Sequence, residues 1–154
     1  MGFEIEHKYL VKDDSYLAME TASYHIRQGY LSRDPHRTVR VRTKNDQAFI
    51  TVKGITRGDV RHEFEYEIPL SDAVEMLSIC IPPVIEKVRH IVPFAGNIWE
   101  VDEFKGDLNH VVIAEVELGS SGENYSLPPF VGADITGDTR YYNSNIHNHF
   151  SRKD

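Results

Sequence analysis

The chain has 154 residues and a formal net charge of −7, with 17 lysines and arginines against 24 aspartates and glutamates. This length predicts a single domain over residues 1–154 that is large enough to bury a core. The acidic balance argues against a nucleic-acid-binding protein, which needs a basic surface. No apolar run approaches the roughly 18 residues of a membrane helix. The single cysteine, Cys80, cannot form an internal disulfide, and the charged N-terminal segment is unlike a secretory signal, so we expect a cytoplasmic protein.

Most of the sequence alternates between apolar and charged residues with a period of two, which is typical of half-exposed β-strands. In the first such segment Glu4, Glu6 and Lys8 share one face, while mainly apolar residues occupy the other. Glycines at 54 and 58 predict a turn after the fourth strand. In chain order the predicted strands are 2–11, 24–32, 37–44, 47–53, 61–69, 84–92, 98–104 and 111–118.

A few segments lack this alternation and predict short helices. Residues 72–80 follow Ser71, a candidate N-cap, and precede Pro82, which would end a helix. Segments 13–23 and 143–150 are the other candidates. We therefore predict an antiparallel β protein of about eight strands with few helices.

Like charges are paired on the charged faces of several predicted strands. A single pair is ordinary on the wet face of an antiparallel sheet. Neighbours of like sign repel each other, however, so the whole set is expected where a ligand neutralises it. Carboxylate pairs bind hard divalent cations, and arginine and lysine clusters bind phosphate oxygens. The pairs are Glu4/Glu6, Arg40/Arg42, Lys87/Arg89 and Glu115/Glu117.

These charges would meet if the sheet closed into a barrel with the charged face inside. The expected ligand of such a lumen is a complex of metal and polyphosphate. The apolar outer face would then need to be covered by helices or by a second subunit.

The motifs that carry these charges resemble the CYTH superfamily, the triphosphate tunnel metalloenzymes. The opening ExExK motif is Glu4, Glu6 and Lys8 in this chain. The resemblance spans nearly the whole sequence, and the short length is most similar to the compact bacterial inorganic triphosphatases of the family. The other motifs, in order, are GYL at 29–31, RVR at 40–42, TVK at 51–53, EFE at 63–65, EKVR at 86–89, WEVDEFKGDL at 99–108, AEVEL at 114–118 and DTRYYN at 138–143.

The resemblance implies a fold and an activity. The implied fold is mainly β (α+β), a closed eight-stranded antiparallel β-barrel with a charged lumen and short helices packed outside. The implied reaction is hydrolysis of tripolyphosphate, a small-molecule substrate, to pyrophosphate and phosphate in the presence of Mg²⁺ or Mn²⁺. The resemblance also implies a homodimer, and neither nucleic acid nor a membrane is an expected partner.

The same resemblance implies site residues by position. The expected metal ligands are Glu4, Glu6, Asp102, Glu115 and Glu117. The expected catalytic residues are Glu4, Glu6, Lys8, Glu63, Glu65 and Lys87. The expected substrate-binding residues are Lys8, Tyr30, Arg40, Arg42, Lys53, Lys87, Arg89 and Arg140.

Three other functions stay open at this level. One is a class IV adenylyl cyclase, which makes cyclic AMP and pyrophosphate from ATP and needs a seat for adenine; the sequence shows no distinct adenine-reading motif. A second is hydrolysis of thiamine triphosphate or of nucleoside triphosphates. The third is a non-catalytic polyphosphate-binding module, which could do without the acidic pairs that suit a metal.

Overall fold

The computed structural model describes residues 2–152. Within them, strands β1 to β9 are Phe3–Val11, Ala22–Ser32, Thr38–Lys44, Gln47–Arg57, Val60–Ile68, Ile81–Phe94, Asn97–Phe104, Val112–Glu117 and Val131–Asp134. The α-helices are α1, Leu70–Ile79, and α2, Ile146–Phe150. Short 3₁₀ helices occupy Ser15–Ala18, Gly106–Leu108 and Thr139–Tyr141. Within the same range, no helix combines the length and hydropathy needed to cross a membrane.

Strands β1 to β8 form a closed antiparallel barrel in the order β1-β5-β4-β3-β2-β6-β7-β8, and β8 pairs again with β1. One edge of β1 pairs with β8. The opposite edge is shared, because Phe3 to Ile5 pair with β5 while Tyr9 and Val11 pair with β9. The prediction of a mainly β, eight-stranded antiparallel barrel is confirmed, with β9 as an additional strand outside it.

The period-two pattern of the strands sets the two surfaces of the barrel. Charged residues at alternate positions point into the lumen, as Glu4, Glu6 and Lys8 do on β1. The intervening residues point outward and form the apolar core between the barrel and the segments that cover it. This arrangement is the inverse of an ordinary β-barrel interior, where apolar side chains fill the lumen.

Helix α1 covers the outer face of β2, β3 and β4. Val41 and Ala48 of the sheet pack there against Leu77 of the helix and Cys80 after it. Gly29 lies directly beneath Cys80, because a Cβ at this glycine would stand 2.8 Å from the Cβ of Cys80. The glycine of the GYL motif thus permits close approach of the helix to the sheet.

Residues 119–131 cover the outer face of β1, β7 and β8. Trp99 and Val116 are fully buried there, packed with Phe130 from the covering segment and with Tyr16 from the first 3₁₀ helix. This segment carries little charge, and its apolar residues complete the core on this side of the barrel.

A third apolar cluster closes part of one end of the barrel. Phe104 and Ile113, at inward-facing positions, pack with Leu108 and with Ile146 of α2, all at most 2% exposed. The C-terminal segment therefore crosses this end and is anchored by Ile146, which is fully buried.

The structure departs from the predicted element limits at several points. Strand β4 continues to Arg57, so the predicted 54–58 turn is confined to the residues after it. Helix α1 has Pro69 at its N-cap, and Ser71 lies inside the helix. Strand β6 begins at Ile81 and includes Pro82 and Pro83, which pair with no strand partner among residues 2–152. Segment 13–23 contains the 3₁₀ turn Ser15–Ala18 and the first residues of β2, and β9 was not predicted.

Candidate active site

The barrel encloses a cavity of about 310 Å³, lined by all eight barrel strands and by part of segment 136–144. Among residues 2–152 its lining includes eight basic and eight acidic side chains, so its formal charge is zero and the net −7 lies elsewhere. These side chains are Lys8, Arg40, Arg42, Lys44, Lys53, Arg61, Lys87, Arg89, Glu4, Glu6, Asp59, Glu63, Glu65, Glu100, Glu115 and Glu117.

The two signs of charge are concentrated on different sides of the cavity. The neighbouring strands β7, β8 and β1 carry an acidic wall, in which Glu6 pairs across strands with Glu117, and Glu100 with Glu115. The opposite side, formed by the neighbouring strands β4, β3, β2 and β6, carries a basic wall. The acidic wall consists of Glu4, Glu6, Glu100, Glu115 and Glu117, and the basic wall of Arg40, Arg42, Lys44, Lys53, Lys87 and Arg89.

On the basic wall, one carboxylate holds two arginines side by side. Oε2 of Glu65 accepts hydrogen bonds from Nη2 of Arg42 at 3.2 Å and of Arg40 at 3.4 Å, and from the hydroxyl of Thr51 at 2.7 Å. Burial, together with the positive charge of Arg40, lowers the pKa of Arg42 to about 10. An anion bound between the two guanidinium groups would relieve their repulsion, so this pair suits phosphate oxygens.

Lys53 links the basic wall to β1 and β5. Its ammonium lies 2.7 Å from Oε1 of Glu4 and 3.3 Å from Oε2 of Glu63. Burial alone would raise the pKa of Glu4, but Lys53, a hydrogen bond with Glu63 and the charge of Arg40 together outweigh it and bring that pKa to about 2. Burial and the negative charge of Glu4 raise the pKa of Glu63. Glu4 is therefore ionised at neutral pH and paired with Lys53.

On the acidic wall, the carboxylates crowd one another. Burial and the repulsion of Glu115 raise the pKa of Glu6 to about 8, although the ammonium of Lys8 is 3.7 Å away. The same ammonium lies 3.5 Å from Glu115 and, despite burial of that carboxylate, lowers its pKa. Burial and the charge of Glu4 raise the pKa of Glu117. Among residues 2–152, the five carboxylates of this wall therefore share three cations within 4 Å, Lys8, Lys53 and Arg89.

A buried carboxylate lies behind the cavity lining. Asp102 is 1% exposed and accepts hydrogen bonds from Nε and Nη2 of Arg89 at 2.8 Å and 2.9 Å. Nζ of Lys87 lies 2.7 Å from the same carboxylate. Burial acts to raise the pKa of Asp102, but Arg89 and Lys87 lower it well below its usual range. The sequence predicts Asp102 as a metal ligand, whereas the structure engages both its oxygens with buried cations that it orients.

Lys87 is almost completely buried at the cavity wall, where its ammonium group contacts Asn143. Its side chain is 2% exposed, and burial lowers its pKa to about 8 although Asp102 acts in the opposite direction. Nζ donates a hydrogen bond to Oδ1 of Asn143 at 2.8 Å, and the buried amide of Gln28 donates to the same oxygen at 2.7 Å.

A divalent cation is the cofactor implied by the resemblance. In the described range 2–152, no three histidine, cysteine, aspartate or glutamate side chains are grouped closely enough to hold a metal ion. The chemistry of the acidic wall nevertheless fits a cation, because Mg²⁺ and Mn²⁺ bind carboxylate oxygens, and because burial and neighbouring carboxylates raise the pKa values of Glu6 and Glu117. Glu4, Glu6, Glu115 and Glu117 are the residues that would hold it.

All but two of the site residues predicted from the sequence line this cavity. Asp102 is the buried carboxylate described above. Arg140 is 56% exposed, is absent from the cavity lining and pairs with Asp138 at 2.6 Å.

Sequence reasoning also missed some residues of the lining. Glu100 and Arg61 have the same strand parity as predicted neighbours, so the period-two pattern contained a signal for both. Tyr142 and Asn143 come from an irregular segment, where no periodicity indicates which side chain faces the lumen.

The match to a known family agrees with this geometry. The sequence model of the CYTH domain matches residues 2–145. The chain belongs to the CYTH domain family. It is 46% identical over 147 residues to an inorganic triphosphatase of Acetivibrio thermocellus, with 95% of this chain and 94% of that protein covered.

Two further CYTH-like matches support the assignment. An inorganic triphosphatase of Nitrosomonas europaea is 30% identical over 144 residues, with 91% of this chain and 93% of that protein covered. A crystal structure of the inorganic triphosphatase NE1496 superposes with a TM-score of 0.65 at 29% identity, with 93% of each chain covered.

Proposed function

We propose that this protein is a metal-dependent inorganic triphosphatase, a single CYTH-like domain that hydrolyses tripolyphosphate to pyrophosphate and phosphate inside the barrel. The observation that carries the proposal is the charge-balanced cavity, in which an acidic wall stands across from a basic wall. A cation bound to the acidic wall and a phosphate chain bound to the basic wall would neutralise the charge of both walls. The relatives named inorganic triphosphatase at 46% and 30% identity support the same activity.

The basic wall is proposed to bind and orient the substrate. Arg40 and Arg42, held side by side by Glu65, would take oxygens of one phosphate group, and Arg89 and Lys87 those of another. Fixing the triphosphate in this way reduces the entropy cost of an in-line displacement. Lys8, between Glu6 and Glu115, would place a positive charge on the metal side of the substrate. Lys53 and Tyr30 line the same cavity and complete the proposed substrate site.

The acidic wall is proposed to hold Mg²⁺ or Mn²⁺ through Glu4, Glu6, Glu115 and Glu117. When bound, the cation would neutralise phosphate charge and make water a better nucleophile. Glu63 and Glu65 stand on the adjacent strand β5, where they orient Lys53 and the two arginines. Their proposed contribution is to keep these cations in position for the phosphate chain.

A second candidate is hydrolysis of an organic triphosphate. Another cavity of about 360 Å³ adjoins the first and shares Arg61 and Tyr142 with it. Pro35 and Ile55 give it apolar surface. A base or thiazole ring could rest on this surface while its triphosphate entered the charged cavity.

One experiment tests these alternatives. The purified protein is incubated with tripolyphosphate, ATP and thiamine triphosphate, each with Mg²⁺ or Mn²⁺ and with EDTA as a control. Phosphate, pyrophosphate and cyclic AMP are quantified. Metal-dependent phosphate release mainly from tripolyphosphate supports the proposal. Preferred turnover of an organic triphosphate supports the second candidate, cyclic AMP from ATP identifies a cyclase, and binding without products identifies a polyphosphate-binding module.

We also propose that the protein is a homodimer in the cytoplasm. Phe3, Phe64 and Tyr66 expose 54%, 45% and 63% of their surface on the outer face of β1 and β5, which no helix within residues 2–152 covers. A second copy would bury this apolar surface. Light scattering should give twice the chain mass for the wild type and the monomer mass for Phe64→Glu. Fractionation of cells tests the location.

A further inference from the structure

Asn143 has a fixed orientation at the edge of the cavity. Its Oδ1 accepts hydrogen bonds from Nζ of Lys87 at 2.8 Å and from Nε2 of Gln28 at 2.7 Å. An ammonium group can only donate, so the atom that faces Lys87 must be the oxygen of the amide. The opposite branch, Nδ2, must therefore point away from Lys87.

The backbone around Asn143 is held on both sides. Asn145 N donates to Tyr142 O at 2.8 Å, and Ile146, three residues after Asn143, is fully buried in the apolar cluster at the end of the barrel. Gln28, the second donor to Asn143, is also fully buried. The amide of Asn143 is thus preorganised before a ligand arrives.

The Nδ2 group of Asn143 is available to a ligand. Among residues 2–152 it donates no hydrogen bond, and it is not one of the buried polar atoms that lack a partner. Asn143 lines the charged cavity beside Lys87. A pair of N–H donors next to an ammonium group suits an anion with several acceptor oxygens, and it repels a metal cation.

We propose that Asn143 is a substrate-binding residue, whose Nδ2 donates to a phosphate oxygen while its Oδ1 holds the ammonium of Lys87 in the cavity. The inference rests on the proposed function and adds to it a neutral contact to the phosphate chain. It gives the C-terminal segment a direct part in recognition.

Two substitutions separate this role from a purely structural one. Asn143→Asp keeps an acceptor for Lys87 but replaces the donor with a negative charge, whereas Asn143→Ala removes both groups without adding charge. If Asn143 only held Lys87, the aspartate variant would perform better than the alanine variant. If Nδ2 binds phosphate, the aspartate variant will be the weaker of the two, because its carboxylate repels the substrate.

The experiment measures the Kd for tripolyphosphate by calorimetry and the KM and kcat with Mg²⁺, alongside melting temperatures. Asn148→Asp is the matched control, because Asn148 is exposed on α2, outside the cavity lining. We expect Kd and KM to rise about tenfold or more in Asn143→Asp, to rise less in Asn143→Ala, and to stay unchanged in the control.

The outcomes separate this inference from the proposed function. A wild-type protein that binds and hydrolyses tripolyphosphate, with an unchanged Kd in Asn143→Asp, overturns the inference alone. An aspartate variant that binds more tightly than the alanine variant also overturns it. A wild-type protein that does not bind tripolyphosphate overturns both. Should the aspartate variant fail to fold, an unchanged Kd in Asn143→Ala overturns the inference and a raised Kd supports it.

Discussion

Asp102 accepts two hydrogen bonds from the guanidinium group of Arg89, at 2.8 Å and 2.9 Å, from a position almost inaccessible to solvent. Lys87 completes the group, with Nζ 2.7 Å from the same carboxylate. One buried carboxylate therefore positions two cations that line the cavity. The basic wall depends on this carboxylate even though Asp102 is absent from the cavity lining.

Removing the charge of Asp102 should destabilise the fold. Asp102→Asn leaves the buried Lys87 without its anion and, among residues 2–152, Arg89 with only Glu100, at 3.3 Å, so the free energy of unfolding should fall by about 3–5 kcal/mol. Urea denaturation measures the change. The control is Asp138→Asn, which breaks the exposed pair with Arg140 and should cost less than about 1 kcal/mol. Equal losses in both variants would contradict this account.

The stability of the metal-free protein should fall as the pH rises from about 5 to 8. The pKa of Glu6 is raised to about 8 in the folded protein, against about 4.3 in an unfolded chain. The folded state therefore binds more protons across this interval, and folding loses stability as the pH increases.

Glu6→Gln isolates this effect, because glutamine does not titrate. We expect the difference in melting temperature between the variant and the wild type to shift in favour of the variant from pH 5 to pH 8. Added Mg²⁺ or Mn²⁺ should stabilise the wild type most at the upper end of the range, where Glu6 is ionised. If the difference in melting temperature between Glu6→Gln and the wild type does not depend on pH, Glu6 is not the source of the pH dependence.

Neutralising the acidic wall should abolish turnover and leave the fold intact. Glu117 forms no ion pair with any of residues 2–152, so Glu117→Gln should keep the melting temperature. Its kcat should fall at least about 100-fold, because even outer-shell partners of a metal contribute 10–100-fold. Glu4→Gln should also lose turnover. The exposed Glu67, outside the cavity lining, provides the control variant Glu67→Gln. Unchanged turnover in both Glu117→Gln and Glu4→Gln would rule out the metal assignment.

Gly29 should be intolerant of a side chain for a reason unrelated to substrate. A Cβ at this position would stand 2.8 Å from Cβ and 2.9 Å from Sγ of Cys80. Gly29→Ala should therefore lower the free energy of unfolding by about 1–3 kcal/mol through overpacking. Gly122, where a Cβ meets no atom within 4 Å, supplies the matched control Gly122→Ala. A loss of affinity for tripolyphosphate without a loss of stability in Gly29→Ala would contradict the packing role.

The barrel could be predicted from the sequence because its strands are amphipathic in an unusual way. A charged inner face and an apolar outer face give a clear period of two, and the eight predicted strands are all present. Strand β9 escaped prediction because Val131–Asp134 is short and contains Gly132, so it shows no alternation. The start of α1 was placed too late, because Ser71 resembled an N-cap and Pro69 holds that position without a side-chain hydrogen bond.

The site was predictable where parity determines which way a side chain points, and less so elsewhere. Asp102 shares the parity of Glu100, yet only Glu100 lines the cavity, because Arg89 and Lys87 enclose the Asp102 carboxylate. That distinction depends on contacts across β6 and β7. Asn143 lies in an irregular segment and is placed in the lumen by the packing of α2, which no local pattern reveals.

The split pairing of β1 has a consequence for how the protein is made. Glu6 pairs with Glu117, and Tyr9 pairs with both Ala114 and Asp134, so this part of β1 waits for more than a hundred residues to be synthesised before it is paired. Such non-local pairing slows folding and prolongs exposure of unpaired strand edges. Because β1 also carries three residues of the cavity wall, a nascent chain would lack the site until β8 had emerged and closed the barrel.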